Sequence, residues 1–144
     1  MNELRQRAIK LLARREHSRA ELARKLSPHG TQEEIYVVLA DLAQSGLLSD
    51  ARYAEAYVRS NAARFGAARL RQTLRQKGLD SELIDAQLAG ADTADELSRA
   101  RAVWARKFSA APADVKEWAR QARFLQSRGF SSEVIRKLLK ESAA

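Results

Sequence analysis

The stretch Gly66-Ala-Ala-Arg-Leu-Arg-Gln-Thr-Leu-Arg-Gln-Lys-Gly78 decides the reading of the fold. Two glycines bracket a short helix. Leu70 and Leu74 lie one turn apart on one face, and Arg69, Arg71, Arg75 and Lys77 take the rest, with no acidic residue between them. Two other stretches repeat its end. Ser18-Arg-Ala-Glu-Leu22-Ala-Arg-Lys-Leu26 leads to Gly30, and Trp118-Ala-Arg-Gln-Ala-Arg-Phe-Leu125 leads to Gly129. A leucine precedes the glycine by four residues each time: Leu26/Gly30, Leu74/Gly78 and Leu125/Gly129. The glycines are 48 and 51 residues apart, a period that marks a repeat protein.

Composition agrees with thin helical modules. The chain has 144 residues and is 45% hydrophobic, but 27 residues are alanine, so large core side chains are scarce. Good helix formers dominate, and the β-branched and aromatic runs of a sheet are missing. The absence of cysteine excludes disulfides, zinc–thiolate sites and thiol catalysis. No apolar run is long enough for a membrane helix, and Glu3, Arg5, Arg7 and Lys10 charge the N-terminus where a signal peptide needs an apolar core. The expectation is a soluble cytoplasmic protein. A formal charge of +8 favours a polyanionic partner or an acidic protein surface.

Taken in order, the chain divides into three units. In the first, 1–48, Leu4, Ala8, Leu11 and Leu12 recur at helical spacing. Ser18 with Glu21 starts a second helix as a capping box, ended by Pro28 and Gly30. Thr31 with Glu34 starts a third, whose buried face is Ile35, Val38, Leu39 and Leu42. The second unit, 49–92, opens at Ser49-Asp50 with the stripe Tyr53, Ala54, Tyr57 and Val58. The Gly66–Gly78 helix follows, and then a helix carrying Leu83, Ile84 and Leu88 to Gly90. In the third, 93–144, Thr93 and Glu96 open a helix with Leu97, Ala100, Trp104 and Phe108 on one face. Ser109-Ala-Ala-Pro112 is a loop, Val115, Trp118, Ala122 and Leu125 line the next helix, and Phe130, Ile135, Leu138 and Leu139 the last. The predicted fold is all-α: three tandem three-helix repeats, about nine helices, in an elongated array stabilised by neighbour stacking.

Charge follows the repeat. Glu3 to Lys25 holds eight basic and three acidic residues, whereas Glu33 to Asp50 holds four acids and no base. Arg52 to Lys77 has seven bases and one acid, and Asp80 to Glu96 six acids and no base. Arg99 to Arg128 has eight bases and two acids, and only the last helix, with Arg136, Lys137 and Lys140, breaks the pattern. Acidic helices neutralising basic ones inside the molecule would explain the alternation. A basic stripe following a nucleic acid or a protein filament would explain it equally. A helix-turn-helix DNA reader is disfavoured. Its recognition helices would be 31–44 and 80–89, each with three acids and no lysine or arginine against the phosphates.

No catalytic constellation stands out. His17 and His29 sit at helix ends and read as surface or capping residues, a poor metal site without cysteine. Glu33 and Glu34 lie in a first helical turn, where they favour the dipole. There is no phosphate loop. Tyr53, Tyr57, Trp104, Phe108 and Trp118 fall on helical stripes and read as core. Phe65 and Phe124 are less committed and suit an exposed contact. The chain is expected not to be an enzyme, and no cofactor or metal is expected.

Three segments resemble the RecX family of regulatory proteins, modulators of the RecA recombinase. They are Leu11-Leu-Ala-Arg-Arg-Glu-His-Ser-Arg-Ala-Glu-Leu-Ala-Arg-Lys-Leu26, Leu48-Ser-Asp-Ala-Arg-Tyr-Ala-Glu-Ala-Tyr-Val-Arg59 continuing through Gly66 to Lys77-Gly78, and Arg123-Phe-Leu-Gln-Ser-Arg-Gly-Phe130. They occur in the family's order and together span nearly the whole chain. One departure is Ala67, where the family commonly has proline.

The resemblance implies tandem three-helix repeats and binding in the helical groove of the RecA–DNA filament. It implies limits on filament growth, ATP hydrolysis, strand exchange and coprotease activity, and so a role in DNA repair, homologous recombination and the SOS response. Direct binding of single- or double-stranded DNA is also implied. A monomer is expected, with no membrane partner. The family offers no catalytic residue to carry over. Contact candidates therefore come from position and charge: Arg14, Arg15, Arg19, Arg24, Lys25, Arg59, Arg64, Arg69, Arg71, Arg75, Lys77, Arg120, Arg123 and Arg128. Two other functions compete, a general DNA-binding repeat protein without a protein partner and an inert helical adaptor.

Overall fold

The computed structural model of the chain describes residues 2–89 and 93–143. Among the described residues the regular elements are nine α-helices and one short 3-10 turn, with no strand. They are α1 (Asn2–Arg14), α2 (Arg19–Leu26), the 3-10 turn Ser27–His29, α3 (Gln32–Gln44), α4 (Asp50–Asn61), α5 (Ala67–Gln76), α6 (Ser81–Leu88), α7 (Thr93–Lys107), α8 (Val115–Ser127) and α9 (Ser132–Ala143). The stop expected at Gly90 and a capping role for the Thr93 side chain fall outside the described residues.

Helices start where local chemistry caps them. Ser18 and Thr31 each accept a bond from the amide three residues on, and Glu21 and Glu34 return the bond to the cap amides. Each box satisfies two amides a helix would otherwise leave orphaned, and losing the capping oxygen costs about 1 kcal/mol. Asp114 caps α8 through the Glu117 amide at 2.8 Å.

Helices end on left-handed glycines. Gly78 (φ 84°) follows Leu74, and the Leu79 amide turns back to the Leu74 carbonyl at 3.2 Å. Gly129 (φ 90°) follows Leu125, with Phe130 returning to Leu125 at 3.2 Å. This is the Schellman closure, in which only glycine takes the left-handed position without strain. The Leu26/Gly30 pair has the same spacing but another geometry. Pro28 carries the chain into the 3-10 turn, and Gly30 is extended (φ −171°), a conformation open to any residue. The first of the three matching pairs therefore shares spacing and not structure.

The described residues gather into two compact units, Met1–Tyr57 with Leu74–Gln87, and Val58–Thr73 with Leu88–Ala144. The division runs through α4 and α5. The first unit has a core of Leu4, Ala8, Leu22, Leu26, Ile35, Val38, Leu39, Leu42 and Leu48, joined by the partly buried Leu11 and Leu12. The second has Ala100, Val103, Leu125, Phe130, Val134, Ile135, Leu138 and Leu139. Each large aliphatic side chain so buried stabilises its unit by about 1.5–3 kcal/mol over leaving it in water.

Three sequence expectations are corrected. Val115 is 86% exposed and Trp118 39%, so the first half of the expected α8 face is not buried. Ala122 and Leu125 face the core as expected, and Gln121 is buried beside them. Gln121 is fully satisfied. Its Oε1 accepts from Trp104 Nε1 at 2.7 Å, and its Nε2 donates to the Ala110 carbonyl and to Glu117, each at 3.1 Å. A polar group with all its partners made costs little to bury. The third correction is His17, read as a surface or capping residue and found 1% exposed.

Each unit also holds a close junction between helices distant in sequence. In the first, Ser18 Oγ donates to the Lys77 carbonyl at 2.8 Å, and a Cβ on Gly78 would come within 2.5 Å of the Ala20 methyl. In the second, the amides of Gly66 and Ala68 donate to the carbonyls of Arg128 and Gly129 at 2.8 and 3.3 Å. A Cβ on Gly129 would collide with the Arg69 backbone, and one on Gly66 with the Gly129 carbonyl. In both, the start of one helix rests on the glycine turn that ends another.

Candidate functional site

Seven of the predicted contact residues lie in the first unit. Arg14 and Arg24 are exposed and have no ion-pair partner among the described residues, and the same is true of Arg75 near the end of α5. Lys77 follows α5 and is partly buried. Three others are engaged locally. Arg15 makes a two-pronged bond to the buried Glu21 at 2.8 and 3.2 Å. That guanidinium holds the Glu21 carboxylate at about 2, against an ordinary value of 4.5. The Arg19 guanidinium lies over the Tyr36 ring at 5.6 Å, while its amide donates to Asp50 at 2.7 Å. Lys25 Nζ lies 3.0 Å from His17 Nε2.

The His17 geometry fixes its proton. Nδ1 faces the Arg15 carbonyl at 3.0 Å, which can only accept, so Nδ1 carries the hydrogen and Nε2 accepts from Lys25. Burial, reinforced by the nearby cations, pushes the imidazole below its ordinary value. His17 is thus a buried, neutral imidazole with both ring nitrogens engaged, one by the Arg15 carbonyl and one by Lys25. Among the described residues no group of histidine, aspartate and glutamate is placed to hold a metal ion.

The other seven lie in the second unit. Arg59 and Arg71 sit on α4 and α5 and both have partners. Arg69 donates to the Ser127 carbonyl at 2.8 Å and lies over the Phe65 ring at 4.7 Å. Arg120 is bound bidentately by Glu117 at 2.7 and 2.9 Å, and this holds the Glu117 carboxylate at about 2. Arg123 is exposed with no ion-pair partner among the described residues.

Arg64 and Arg128 are brought together. With Arg106 and Lys107 they line a cleft of about 390 Å³ whose remaining walls are Phe124 and Val103. Three segments converge here: the turn after α4, the last turn of α7 and the end of α8. The cationic heads rest on neutral partners. Arg64 donates to Asn61 Oδ1 at 2.7 Å and Arg106 to the Ala63 carbonyl at 2.8 Å. Arg128 and Lys107 lie over the Phe124 ring at 5.0 and 5.7 Å. No carboxylate lines the cleft, and none of the four cations has one as a partner among the described residues.

Sequence reasoning missed Arg106 and Lys107. The only local signal was a basic pair beside Phe108 at a helix end. Their meeting with Arg64 and Arg128 is a tertiary event. Phe124 and Phe65, left open as contacts, are half-buried and carry cations on their faces. Phe108 is core, packed edge-on to Phe124 at 5.4 Å. No helix among the described residues is long and apolar enough to cross a membrane.

Comparison with known proteins gives one answer along the chain. Residues 5–41, 49–88 and 94–139 match the first, second and third three-helix domains of RecX. The regulatory protein RecX of Leptothrix cholodnii is 54% identical over 95% of this chain and 87% of its own length. That of Chromobacterium violaceum is 44% identical over 94% and 88%. Two crystal structures share the fold. RecX from Lactobacillus salivarius has a TM-score of 0.84 at 20% identity, covering 99% of this chain and 96% of its own. A second regulatory protein RecX has a TM-score of 0.85 at 23% identity, covering 97% and 72%. With all three domains matched and relatives this similar over nearly their whole length, the chain belongs to the RecX family of regulatory proteins.

Proposed function

We propose that the chain is a negative regulator of a RecA recombinase. It binds in the groove of the RecA–DNA filament and limits filament extension, and with it ATP hydrolysis, strand exchange and coprotease activity. It does so as a binding protein without catalysis of its own, acting in the cytoplasm as a monomer built of repeats 1–48, 49–92 and 93–144. The observation that carries this reading is the 54% identity, over 95% of the chain, to a protein named as a regulatory RecX. The exposed, unpaired arginines support it, because a filament of protein and DNA presents an anionic groove.

The test is the rate of RecA ATP hydrolysis on single-stranded DNA as the protein is titrated in. Inhibition is expected well below one molecule per RecA. Inhibition only once the DNA itself is saturated would replace this reading with plain competition for DNA. Charge reversal at Arg69, Arg71 and Arg75 together is expected to raise the concentration for half-inhibition about tenfold or more, roughly 0.5 kcal/mol per lost contact. Unchanged inhibition would mean that α5 is not the docking surface.

A further inference from the structure

We propose that the cleft between Phe124 and the four cations Arg64, Arg106, Lys107 and Arg128 is a single-nucleotide site, gripping a phosphate beside a base laid on the Phe124 ring. This goes beyond filament docking, because it needs no recombinase.

Three observations carry it. The first is unpaired charge. Six basic side chains elsewhere are matched to carboxylates: Arg5 with Asp41, Arg15 with Glu21, Arg52 with Glu16, Arg101 with Glu141, Arg120 with Glu117 and Lys137 with Glu133. Arg14, Arg24, Arg75 and Arg123 are exposed without such a partner among the described residues and line no part of this cleft. The four cations of the cleft have only neutral partners. Cations at helix ends are ordinary, since they offset the dipoles of α7 and α8. That accounts for Lys107 or Arg128 singly, and not for four heads from three segments around one space. Like charges converging without a counterion repel, and an anion entering the cleft removes that cost.

The second observation is the floor. Phe124 is held in place from one side by Phe108, edge-on at 88°. Its ring also packs against the second unit's core, and the cations over it among the described residues are Arg128 and Lys107, both on flexible stems. A planar base can displace those heads from the ring, and they then lie within reach of its phosphate. An aromatic platform flanked by cations is the common grammar of single-strand recognition. The third is size. About 390 Å³ falls at the small end of ligand clefts, room for one nucleotide and not for a duplex groove.

The same chemistry is offered by an unstacked nucleotide of a single strand and by a free nucleoside triphosphate. The experiment separates them. Fluorescence anisotropy of a labelled oligo-dT is measured with the full chain, across salt concentrations and without RecA. Arg106→Gln with Lys107→Gln is expected to weaken binding about tenfold and to flatten the log–log salt dependence by about 1. The charge-matched pair Arg136→Gln with Lys140→Gln, away from the cleft, is expected to cost about threefold or less. Phe124→Leu, with its fold checked by circular dichroism, is expected to cost about five- to tenfold at unchanged salt slope. Photocrosslinking of 5-iodouracil DNA to the peptide holding Phe124 gives a readout independent of those variants.

Competition by dATP at micromolar concentration would identify a free nucleotide as the ligand. Its failure to compete, with the crosslink present, would identify the strand. Equal losses from the two charge pairs would overturn the site in favour of a diffuse basic field. So would a folded Phe124→Leu that binds normally, or a poly-glutamate peptide that competes as well as the DNA. Because RecA is absent, any of these failures leaves the filament reading standing, and loss of filament inhibition leaves the site standing.

Discussion

Gly78 and Gly129 close turns of the same geometry, yet the junctions built on them are made of different material. At Gly78 the start of α2 is held by a side chain: Ser18 Oγ reaches the Lys77 carbonyl, and the Ala20 methyl fills the space a Cβ would need. Around it stand ionisable neighbours, with Glu21 in the capping box and Arg15 upon it. At Gly129 the start of α5 is held chiefly by backbone, with the Gly66 and Ala68 amides on the Arg128 and Gly129 carbonyls. Side chains only flank it, Arg69 on the Ser127 carbonyl and Glu96 accepting from the Ala67 amide. A side-chain bond can be tuned by substitution and by pH. The backbone pair at the second junction admits neither, and tolerates no Cβ on Gly66 or Gly129.

That difference is open to attack by substitution, beginning with the most damaging. Gly129→Ala combines a left-handed residue with a collision against the Arg69 backbone, and is expected to cost about 3 kcal/mol or more in urea unfolding. A loss under about 1 kcal/mol would show that the α8–α9 turn can shift freely. Gly78→Ala meets a methyl instead of backbone, so a smaller loss of about 2 kcal/mol is expected from the same measurement. If it proved the costlier of the two, the backbone junction would not be the stiffer one.

The third test uses acid. Glu21 is held at about 2, below its ordinary 4.5, by Arg15. Since the folded value is depressed, the stabilisation is complete above about pH 4.5 and is lost as pH falls towards 2. Arg15 is half exposed, so screening reduces the contribution to about 1–2 kcal/mol. Unfolding of the native chain and of Arg15→Gln should differ by that amount at pH 7 and converge near pH 2. A gap independent of pH would separate Arg15 from the Glu21 charge. The smallest effect is expected at Gly30→Ala. Its backbone is extended and its new methyl need only nudge Leu4 Cδ2, at 3.1 Å, so stability should change by less than about 0.5 kcal/mol. A large loss there would mean that the Leu26/Gly30 pair is a third junction after all.

How much of this was legible depended on the range of the interactions. Ser18 with Glu21 and Thr31 with Glu34 bond within three residues, so the sequence alone declared those helix starts. Leu70 and Leu74 were legible because one helical turn puts them together. Val115 and Trp118 misled, since apolar spacing cannot anticipate that Gln121 meets Trp104, Ala110 and Glu117 and so takes the inner face. His17 was hidden for the same reason, as its burial follows from packing around it. The basic cleft lies furthest from sequence reading. Arg64, Arg106, Lys107 and Arg128 come from three segments that nothing local connects.

The Gly66 and Ala68 amides have one more consequence. First-turn amides of a helix ordinarily surrender their protons to water, having no partner within their own helix. Here those protons are spoken for by the turn after α8. In heavy water they exchange only when that turn lets go, so two peptide signals at the head of α5 keep time for the opening of the second unit.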